Sequence, residues 1–492
     1  MAAGSGTMVS GLVAAQGLRF VLQLIVARML GDAAFGLFAT VTTVILVAMA
    51  FATVGLNNGI IAIATRHRTN KDWPRFKGTL TLSFKLVFLT ATLAFAAVFC
   101  GAWWTTSSPF YGQTASALLI ASPTVLVGTL SLVVVGALWA VRDLRSVVIG
   151  EQFLQQGALI GLTVLFLALG WGIESVLLAF CLSYVLSLVF LIQRLVPQIR
   201  HLFGARGVAG VEEPKPLLAI ALPQTVSDVT ARLILQLDVL VLAYFASQAD
   251  VGHYRAATSF ALMGHIIVSA FIVIYKPVVS ELLTRKDHKR LNELSKVMTR
   301  WLLILAAPVS MTLVIAPQLI LSIMGKDFTV SASALQILIL GQLVHYCFAL
   351  SLPVLMMSDH AWRNMIYGVV SVGLNLALNV ALIPDWGIEG AAIASAISLS
   401  TWATLRTIDV YRSFGVLPIS RRAVEVIAFS ILLTLFVLWC LGDAPSLFAQ
   451  TAAAAAALAG FALIIGLMGL TPLDREVMEH LTQKVRGILG RA

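Results

Sequence analysis

The chain has 492 residues, of which 59% are hydrophobic and only 11% are charged, and its mean hydropathy is +0.94. Soluble domains carry about 25% charged residues, so this composition excludes a soluble globular protein and predicts a polytopic membrane protein. Lysine and arginine outnumber aspartate and glutamate by 33 to 23, which gives a net charge of +10. We interpret this excess as membrane topology and attraction to lipid head groups, and we expect no nucleic-acid partner.

Apolar stretches of about 20 residues, separated by short polar breaks, predict about 14 transmembrane helices and an all-α fold. The N-terminal sequence MAAGSGTMVS has no basic start, so we expect no cleavable signal peptide. The predicted spans are 8–30, 36–63, 79–104, 114–141, 147–169, 173–195, 217–246, 251–280, 301–324, 331–357, 364–383, 388–411, 423–441 and 447–470.

The distribution of basic residues predicts the orientation of these helices. Most of the 33 lysines and arginines fall in the loops that share one side of the membrane, whereas Lys326 stands alone in the loops of the other side. Basic loops face the cytoplasm, so we expect a multi-pass protein with both termini cytoplasmic. The opposite loops are short and leave no room for a catalytic domain, so we expect no enzyme and no catalytic residues. The four cysteines each stand alone in an apolar stretch, which favours packing over a disulfide or a metal site.

Two predicted helices carry an arginine near mid-span, followed four residues later by a glutamine: Arg19 with Gln23, and Arg232 with Gln236. An arginine at the centre of a transmembrane helix costs about 2.5–3.5 kcal/mol on insertion scales, so it must face a wet cavity or a partner. We therefore predict a central cationic site that binds an anionic substrate. Its remaining candidates are two further glutamines on the same helices and an arginine in the first turns of helix 8: Gln16, Gln224 and Arg255.

An internal repeat relates the two halves of the chain at an offset of about 215 residues. It matches Arg19 with Arg232, Gly36 with Gly252, and the first WGIE sequence, which begins at Trp171, with the second, which begins at Trp386. Six helices separate equivalent positions, so the repeats are parallel and related by an axis along the membrane normal.

This repeat predicts two six-helix bundles arranged as a V around the cavity. The bundles are 1–196 and 217–411, a cytoplasmic linker at 197–216 is the expected hinge, and 412–492 holds two additional helices and a cytoplasmic tail. We expect helices 1 and 7 to face each other across the cavity.

The chemistry of the arginines points to phosphate, since each planar guanidinium can donate two parallel hydrogen bonds. The alternative for Arg232 is a structural ion pair with Asp228, one helical turn earlier. Asp228 and Asp238 are the carboxylates that the predicted boundaries place at mid-span, and such residues mean ion coupling or charge pairing.

Other polar residues in the helices admit a structural explanation as readily as a functional one. His265 and His345 could relay protons, but a lone helical histidine is more often a packing residue. Glu151, with neighbouring glutamines, forms a polar patch at the predicted cytoplasmic start of helix 5, where water could equally well solvate it. For Lys85, which lies near the cytoplasmic interface, snorkelling to that interface is an adequate explanation.

Two sequences, ARMLGDAAFGLFATV in helices 1–2 and NLALNVALIPDWGIEGAAIASAISL in helices 11–12, resemble polysaccharide transporters of the multidrug/oligosaccharidyl-lipid/polysaccharide superfamily. Within it the chain is most similar to Wzx-type O-antigen and exopolysaccharide flippases, over about residues 8–410. The resemblance implies a bacterial inner-membrane protein that moves undecaprenyl-pyrophosphate-linked oligosaccharides to the periplasmic leaflet by alternating access.

The resemblance also implies a role in lipopolysaccharide, exopolysaccharide or capsule biosynthesis, beside the polymerase and glycosyltransferases of that pathway. We expect no cofactor and no metal, and Asp228 and Asp238 are candidates for coupling to a proton or sodium gradient. The main alternative is a cation-coupled multidrug exporter, although such a cavity should be net negative. An oligosaccharide polymerase or ligase is less compatible with the short outer loops.

Overall fold

The protein is described by a computed structural model that covers residues 2–107, 112–203, 209–442 and 446–468. Within these residues the secondary structure is helical throughout, which confirms the predicted all-α fold. The α-helices are α1 (Ala2–Ala52), α2 (Leu56–Thr69), α3 (Trp73–Thr105), α4 (Gly112–Ala121), α5 (Pro123–Ala140), α6 (Leu144–Val147), α7 (Gln155–Ala168), α8 (Ile173–Phe203), α9 (Pro214–Phe245), α10 (Gln248–Ala261), α11 (His265–Thr284), α12 (His288–Ile315), α13 (Pro317–Leu321), α14 (Ala332–Phe348), α15 (Ser351–Met356), α16 (Ala361–Phe414), α17 (Arg421–Leu441) and α18 (Leu447–Met468). A π-helical segment covers Val148–Leu154, and 3₁₀ segments cover Leu262–Gly264 and Lys326–Ser331.

Two of these helices are too long for a single crossing. α1 has 51 residues and would be about 77 Å long if it were straight, against a hydrocarbon core of about 30 Å. Gly31, at φ 83°, breaks α1, and Gly387, at φ 52°, breaks α16 in the same way. Positive φ is a conformation that glycine adopts without steric cost. Each long helix therefore supplies two spans.

The described residues contain 11 stretches that are long and apolar enough to cross a membrane. Two of them, Gln16–Thr69 and Trp362–Phe414, have 54 and 53 residues; the first covers most of α1 together with α2, the second covers α16, and each contains two spans. α9 is 32 residues long and adds a further crossing, although its polar residues keep it out of that set. The described helices thus accommodate the fourteen predicted spans.

Several helices begin earlier than the apolar pattern predicts. The ninth span was predicted at 301–324, but α12 is His288–Ile315, and the third was predicted from 79, but α3 starts at Trp73. Hydropathy ends a helix where charges begin, whereas a helix continues beyond the hydrocarbon core until a cap or turn stops it. Asp287 and Asp72 supply those caps, since each accepts a hydrogen bond from a backbone N–H three residues later.

One turn recurs at three connections between helices. A basic residue adopts positive φ and closes the preceding helix, and the aspartate that follows caps the next helix. The backbone N–H of each aspartate bonds the carbonyl five residues earlier, as in a Schellman motif. The three pairs are Lys71 with Asp72, Arg142 with Asp143, and Lys286 with Asp287. The first and third are related by the repeat offset of about 215 residues, so the turn is a further element of the repeat.

The chain forms two compact units, one of Gly11–Gly252 and one of the described residues of Met1–Ser10 and His253–Ala492. In the first unit the core includes Leu56, Phe76, Val133 and Ala221, which come from α2, α3, α5 and α9. The second has its own core around α11, α12, α15 and α17. The boundary lies after Gly252, whereas the predicted bundles meet at 197–216; the V-shaped division by repeat stays a prediction.

The residues that precede α9 are fixed to the start of α3. The Val211 N–H donates to the Pro74 carbonyl at 3.0 Å, and Lys85 Nζ lies 2.7 Å from Glu212 Oε1. A Cβ on Gly78 would collide with the Val211 carbonyl, so the two backbones approach closely. Lys85 therefore has an ion-pair partner, in addition to any interaction with the interface that its position predicted.

Candidate functional site

The two arginines that the sequence singled out both belong to the first unit. Arg19 lies in α1, before the break at Gly31, and its side chain is exposed; Arg232 lies in α9 and is partly buried. Among the described residues, neither guanidinium forms a salt bridge. Their charges are therefore not cancelled by direct contact with a carboxylate.

One carboxylate nevertheless lies within electrostatic range of both arginines, that of Glu151. Glu151 is partly buried in the π-helical segment Val148–Leu154, eight residues after the capping Asp143. At 1.5 Å per residue this places it about 12 Å beyond the cap along the helix. π-helical turns inside α-helices are frequent at functional sites. The first unit thus brings two positive charges and one negative charge together.

A tyrosine on α8 completes this group. The charges of Arg19, Arg232 and Glu151 all act on the hydroxyl of Tyr184, which also interacts with the side chain of Gln155. Gln155 is only 6% exposed and follows Glu151 by four residues, so both point from one face of the helix. α1, the π-helical segment, α8 and α9 each contribute to the cluster, which we call the Glu151 cluster: Arg19, Glu151, Gln155, Tyr184 and Arg232.

Sequence reasoning identified the arginines but missed Glu151 and Tyr184 as members of the site. The predicted start of helix 5 at 147 placed Glu151 in the first turn, close to solvent, whereas the helical segment begins at Leu144. The i, i+4 spacing of Glu151 and Gln155 was the available signal, because it indicates a polar face in an apolar helix.

Asp228 does not form the ion pair that was the alternative explanation for Arg232. Its two carboxylate oxygens accept hydrogen bonds from amides instead, from Asn58 Nδ2 at 3.0 Å and from Gln224 Nε2 at 3.1 Å. Arg232 acts on Asp228 through charge alone. The predicted site residue Gln224 therefore serves to hold Asp228, and Asn58 on α2 joins them.

The other predicted site residues are distributed more widely. Gln16 and Gln23 are partly buried on α1, and the Gln236 Oε1 atom on α9 is buried without a hydrogen-bond partner. Asp238 is 2% exposed and engaged within the protein. Arg255 is partly buried on α10 in the second unit, so the structure does not assign it to the Glu151 cluster.

Two glycines matched by the repeat pack against each other in the first unit. A Cβ on Gly36 would collide with the backbone of Gln248, and one on Gly252 would collide with the backbone of Asp32. Asp32 and Gln248 are themselves related by the repeat offset, so the contact is symmetric. Thr40 Oγ1 donates to Gln248 Oε1 at 3.2 Å and reinforces it. The two helix starts can approach this closely because both positions lack a side chain.

The described residues contain no group of three or more His, Cys, Asp or Glu side chains placed to hold a metal ion. The Glu151 cluster itself offers positive charge and hydrogen-bond donors, which suit the binding of an anion.

This fold is shared with known membrane transporters. The structure of the lipid II flippase MurJ in an inward closed conformation matches with a TM-score of 0.72 at 13% identity, over 93% of this chain and 98% of that one. An inward-facing multidrug resistance MATE transporter matches with a TM-score of 0.64 at 14% identity, over 81% of this chain and 94% of that one. The chain therefore shares its helical fold with both transporters.

The chain belongs to the family described as polysaccharide biosynthesis protein, whose family model matches residues 1–283. The MatE family model matches residues 223–381. Both matches confirm the resemblance that the two sequence motifs indicated.

Two curated relatives come from Haloferax volcanii. The probable flippase AglR is 29% identical over 211 residues, which are 40% of this chain and 44% of the relative. The probable low-salt glycan biosynthesis flippase Agl15 is 30% identical over 168 residues, which are 33% of this chain and 35% of the relative. The chain therefore matches less than half the length of either relative. Both are named as flippases, a class of transporter and not of enzyme.

Proposed function

We propose that this chain is a flippase for lipid-linked oligosaccharides, and that its substrate is an oligosaccharide carried on undecaprenyl pyrophosphate. It moves the substrate from the cytoplasmic to the periplasmic leaflet by alternating access, for O-antigen, exopolysaccharide or capsule biosynthesis. The observation that supports this most is the Glu151 cluster, in which Arg19 and Arg232 converge on one carboxylate.

The physical argument rests on the cost of moving a pyrophosphate through hydrocarbon. An unpaired ion in a low-dielectric medium costs many kcal/mol, so a flippase must supply positive charge along the path while the polyprenyl chain stays in lipid. Arg19 and Arg232 offer planar donor groups that fit phosphate oxygens. Glu151 lowers the net charge when no substrate is bound, and competes with the substrate for the same arginines.

The proposal includes the setting of the protein. It is a multi-pass protein of the bacterial inner membrane with cytoplasmic termini, and its basic loops contact anionic lipid head groups. The glycosyltransferases that build the oligosaccharide and the polymerase that consumes it are its functional partners. Nucleic acid is not a ligand, because the positive charge is distributed over membrane-facing loops.

We assign the coupling of transport to an ion gradient to carboxylates of the protein, and this coupling requires no cofactor. Asp228 lies one helical turn from Arg232 and is held by two neutral amides, so a proton or sodium ion can replace those partners without breaking a salt bridge. Asp238, which is buried on the same helix, is the second candidate. We propose that one of them senses the ion gradient.

A second candidate function is cation-coupled drug export, which the match of the MatE family model to residues 223–381 favours. A cavity for cationic drugs should be net negative, whereas here Arg19 and Arg232 offset the carboxylates of Glu151 and Asp228, which leaves no net negative charge. Neighbouring genes separate the candidates at little cost, since a flippase of this kind should lie beside genes for sugar-nucleotide enzymes and glycosyltransferases.

The experiment that tests the proposal replaces the two arginines. Arg19→Ala and Arg232→Ala should each lower surface glycan at least about tenfold at normal protein abundance, because a pyrophosphate loses a desolvated charged partner. Lipid-linked oligosaccharide should accumulate on the cytoplasmic leaflet. Lysine at either position should restore only part of the activity, since its ammonium cannot form the bidentate contact.

Arg421→Ala is the matched control, because the Arg421 side chain is 94% exposed on α17 and pairs with Glu425 one turn later. It should leave surface glycan unchanged. Full activity in the Arg19→Ala, Arg232→Ala double variant, at normal abundance, would reject the proposed function.

A further inference from the structure

A second cationic group lies inside the second unit, around Arg406 on α16. Arg406 is 0% exposed, and neither NH1 nor NH2 of its guanidinium has a hydrogen-bond partner. Only Nε is engaged, donating to the Trp402 carbonyl at 3.2 Å, while the guanidinium carbon lies 4.1 Å from the centre of the Trp402 ring. The ring stabilises the charge on one face. The two terminal nitrogens remain buried donors in need of an acceptor.

Two histidines stand within electrostatic range of this arginine. His265 on α11 and His345 on α14 stack with ring centres 5.2 Å apart and planes at 17°. The His265 Nε2–H donates to Gln342 Oε1 at 2.9 Å, whereas the buried His345 Nδ1 has no partner. Arg406 acts on His345 through its charge. The His345 ring therefore presents a free nitrogen in the neighbourhood of a buried positive charge.

Among the described residues, no carboxylate acts directly on the histidine pair. The ionisable groups that face it are Tyr346 on α14 and Arg406 on α16. Asp409, one turn beyond Arg406, pairs with Arg363 NH1 through Oδ1 at 2.7 Å, and its buried Oδ2 has no hydrogen-bond partner among the described residues. A buried guanidinium needs a counter-charge or a full set of hydrogen-bond acceptors, and no described residue accepts a hydrogen bond from the terminal nitrogens of Arg406.

We propose that Arg406 and His345 form a binding site for a small inorganic anion, and that the His265–His345 pair takes up a proton when the anion binds. The anion accepts hydrogen bonds from the two terminal guanidinium nitrogens and from the protonated His345 ring. Gln342 fixes the His265 ring, so the stacked pair accommodates one added proton without moving. This site is separate from the Glu151 cluster, and its existence does not depend on the proposed transport of a glycan.

The burial of the site determines the size of its ligand. Arg406 has no accessible surface, and α14 packs along α16 so closely that a Cβ on Gly341 would lie 2.5 Å from the Ala396 Cα. A lipid phosphate or a pyrophosphate cannot reach such a position while attached to its chain. An apolar cavity of about 480 Å³ opens between the same two helices, and its lining includes Val344 and Leu405, the sequence neighbours of His345 and Arg406.

The test measures the thermal unfolding midpoint of the purified protein in phosphatidylcholine nanodiscs. Chloride or bromide replaces gluconate at constant ionic strength, at pH 6 and at pH 8. The midpoint should rise with halide in a saturable way, and half-saturation should need less halide at pH 6 than at pH 8, because anion binding and proton uptake by the histidine pair favour each other. Arg406→Gln should abolish the halide response.

Controls separate this site from other cationic groups. Arg421→Gln, which removes an exposed arginine on α17, should keep the response, and so should the Arg19→Ala, Arg232→Ala double variant. If the response disappears in that double variant and persists in Arg406→Gln, the halide binds elsewhere and the proposal is wrong. Loss of the halide response in nanodiscs that contain phosphatidylglycerol would show that a lipid head group is the ligand, and would also reject it.

A direct measurement covers the case in which Arg406→Gln does not accumulate. Anomalous diffraction from crystals of the unmodified protein grown in bromide should show a peak within hydrogen-bonding distance of the Arg406 guanidinium. Bromide peaks at other sites with none beside Arg406 would overturn the inference.

Discussion

The described residues contain two groups of arginines inside membrane-spanning helices, the Glu151 cluster and the group around Arg406. The two groups differ in how exposed their arginines are and in which carboxylates lie near them. Arg19 is exposed and Arg232 is partly buried, and the carboxylates of Glu151 and Asp228 lie within range of Arg232. Arg406 is wholly buried, and no described carboxylate acts on it.

Because of this difference, we expect the Glu151 cluster to exchange its anion and the site around Arg406 to retain its anion. An accessible arginine with a carboxylate competitor can release an anion, because the internal carboxylate restores the charge balance when the ligand leaves. A buried arginine without a competitor holds its anion as part of the fold, since losing it would leave an uncompensated charge. We therefore expect transport to respond most to changes in the carboxylates of the first cluster.

Glu151→Gln should have the largest effect on substrate binding and turnover. It removes the carboxylate that competes with the substrate for the arginines, and so makes the Glu151 cluster more like the site around Arg406. Substrate should bind about tenfold more tightly or better, and turnover should fall by a similar factor, because a nearby opposite charge contributes a few kcal/mol at the effective dielectric of a protein surface. Binding of a lipid-linked pyrophosphate and its flipping in proteoliposomes measure the two quantities.

Glu174→Gln is the matched control for that change, because Glu174 is an exposed carboxylate in the first turn of α8. Its binding and turnover should equal those of the unmodified protein. Weaker substrate binding in Glu151→Gln would assign Glu151 a direct contact with the substrate and would contradict its role as a competitor.

A smaller effect is expected from Asp228→Asn, which tests whether the second carboxylate of this region senses an ion. The asparagine keeps one oxygen for Asn58 or Gln224 but loses the ionisable group, at a cost of about 1–3 kcal/mol for the amide left without an acceptor. Transport should continue at a reduced rate, and its dependence on an imposed proton or sodium gradient should fall several-fold. Asp385→Asn, at an exposed carboxylate in α16, should retain the full dependence. An unchanged gradient dependence in Asp228→Asn would remove Asp228 from the coupling role.

The sequence predicted the fold in most respects because apolar length is a strong signal. The all-α class, the fourteen spans and the repeated arginines follow from hydropathy and from the cost of a charge in hydrocarbon. The starts of α3 and α12 were wrong, since capping aspartates extend those helices into segments that hydropathy assigns to loops. The basic residue and aspartate at 71–72, 142–143 and 286–287 were a local signal for these starts.

The composition of the sites was less predictable, because it depends on which helices meet. Arg19 and Arg232 stand out in isolation, but their relation to Glu151 requires the packing of three separate segments. Arg406 lies near the end of the predicted span 388–411, and its complete burial within the second unit depends on packing that hydropathy does not show. His265 and His345 stack only because α11 and α14 bring them together.

The smallest effect on transport is expected from a substitution at Asp143, a carboxylate outside the membrane spans. Hydrogen bonds are the main stabilising influence on its ionised form. Burial by itself would raise its pKa, but hydrogen bonds from the Ser146 side chain and backbone and from Gln198, with the nearby charge of Arg194, together hold the pKa below its usual value. Ser146 Oγ donates to it at 2.7 Å and Gln198 Nε2 at 2.5 Å. The folded state therefore favours the ionised form.

Asp143→Asn should accordingly lower the free energy of unfolding by about 1 kcal/mol near neutral pH, as expected for a weakened helix cap, and leave flipping unchanged. Because the pKa is lower in the folded protein, this stabilisation is complete above the unfolded pKa of about 3.9 and is lost as the pH falls through the folded pKa. The difference in unfolding midpoint between the variant and the unmodified protein should thus shrink as the pH is lowered below about 4. A difference that grows on acidification, or a loss of flipping comparable with that of Glu151→Gln, would place Asp143 among the transport carboxylates and remove the distinction between the membrane surface and the Glu151 cluster.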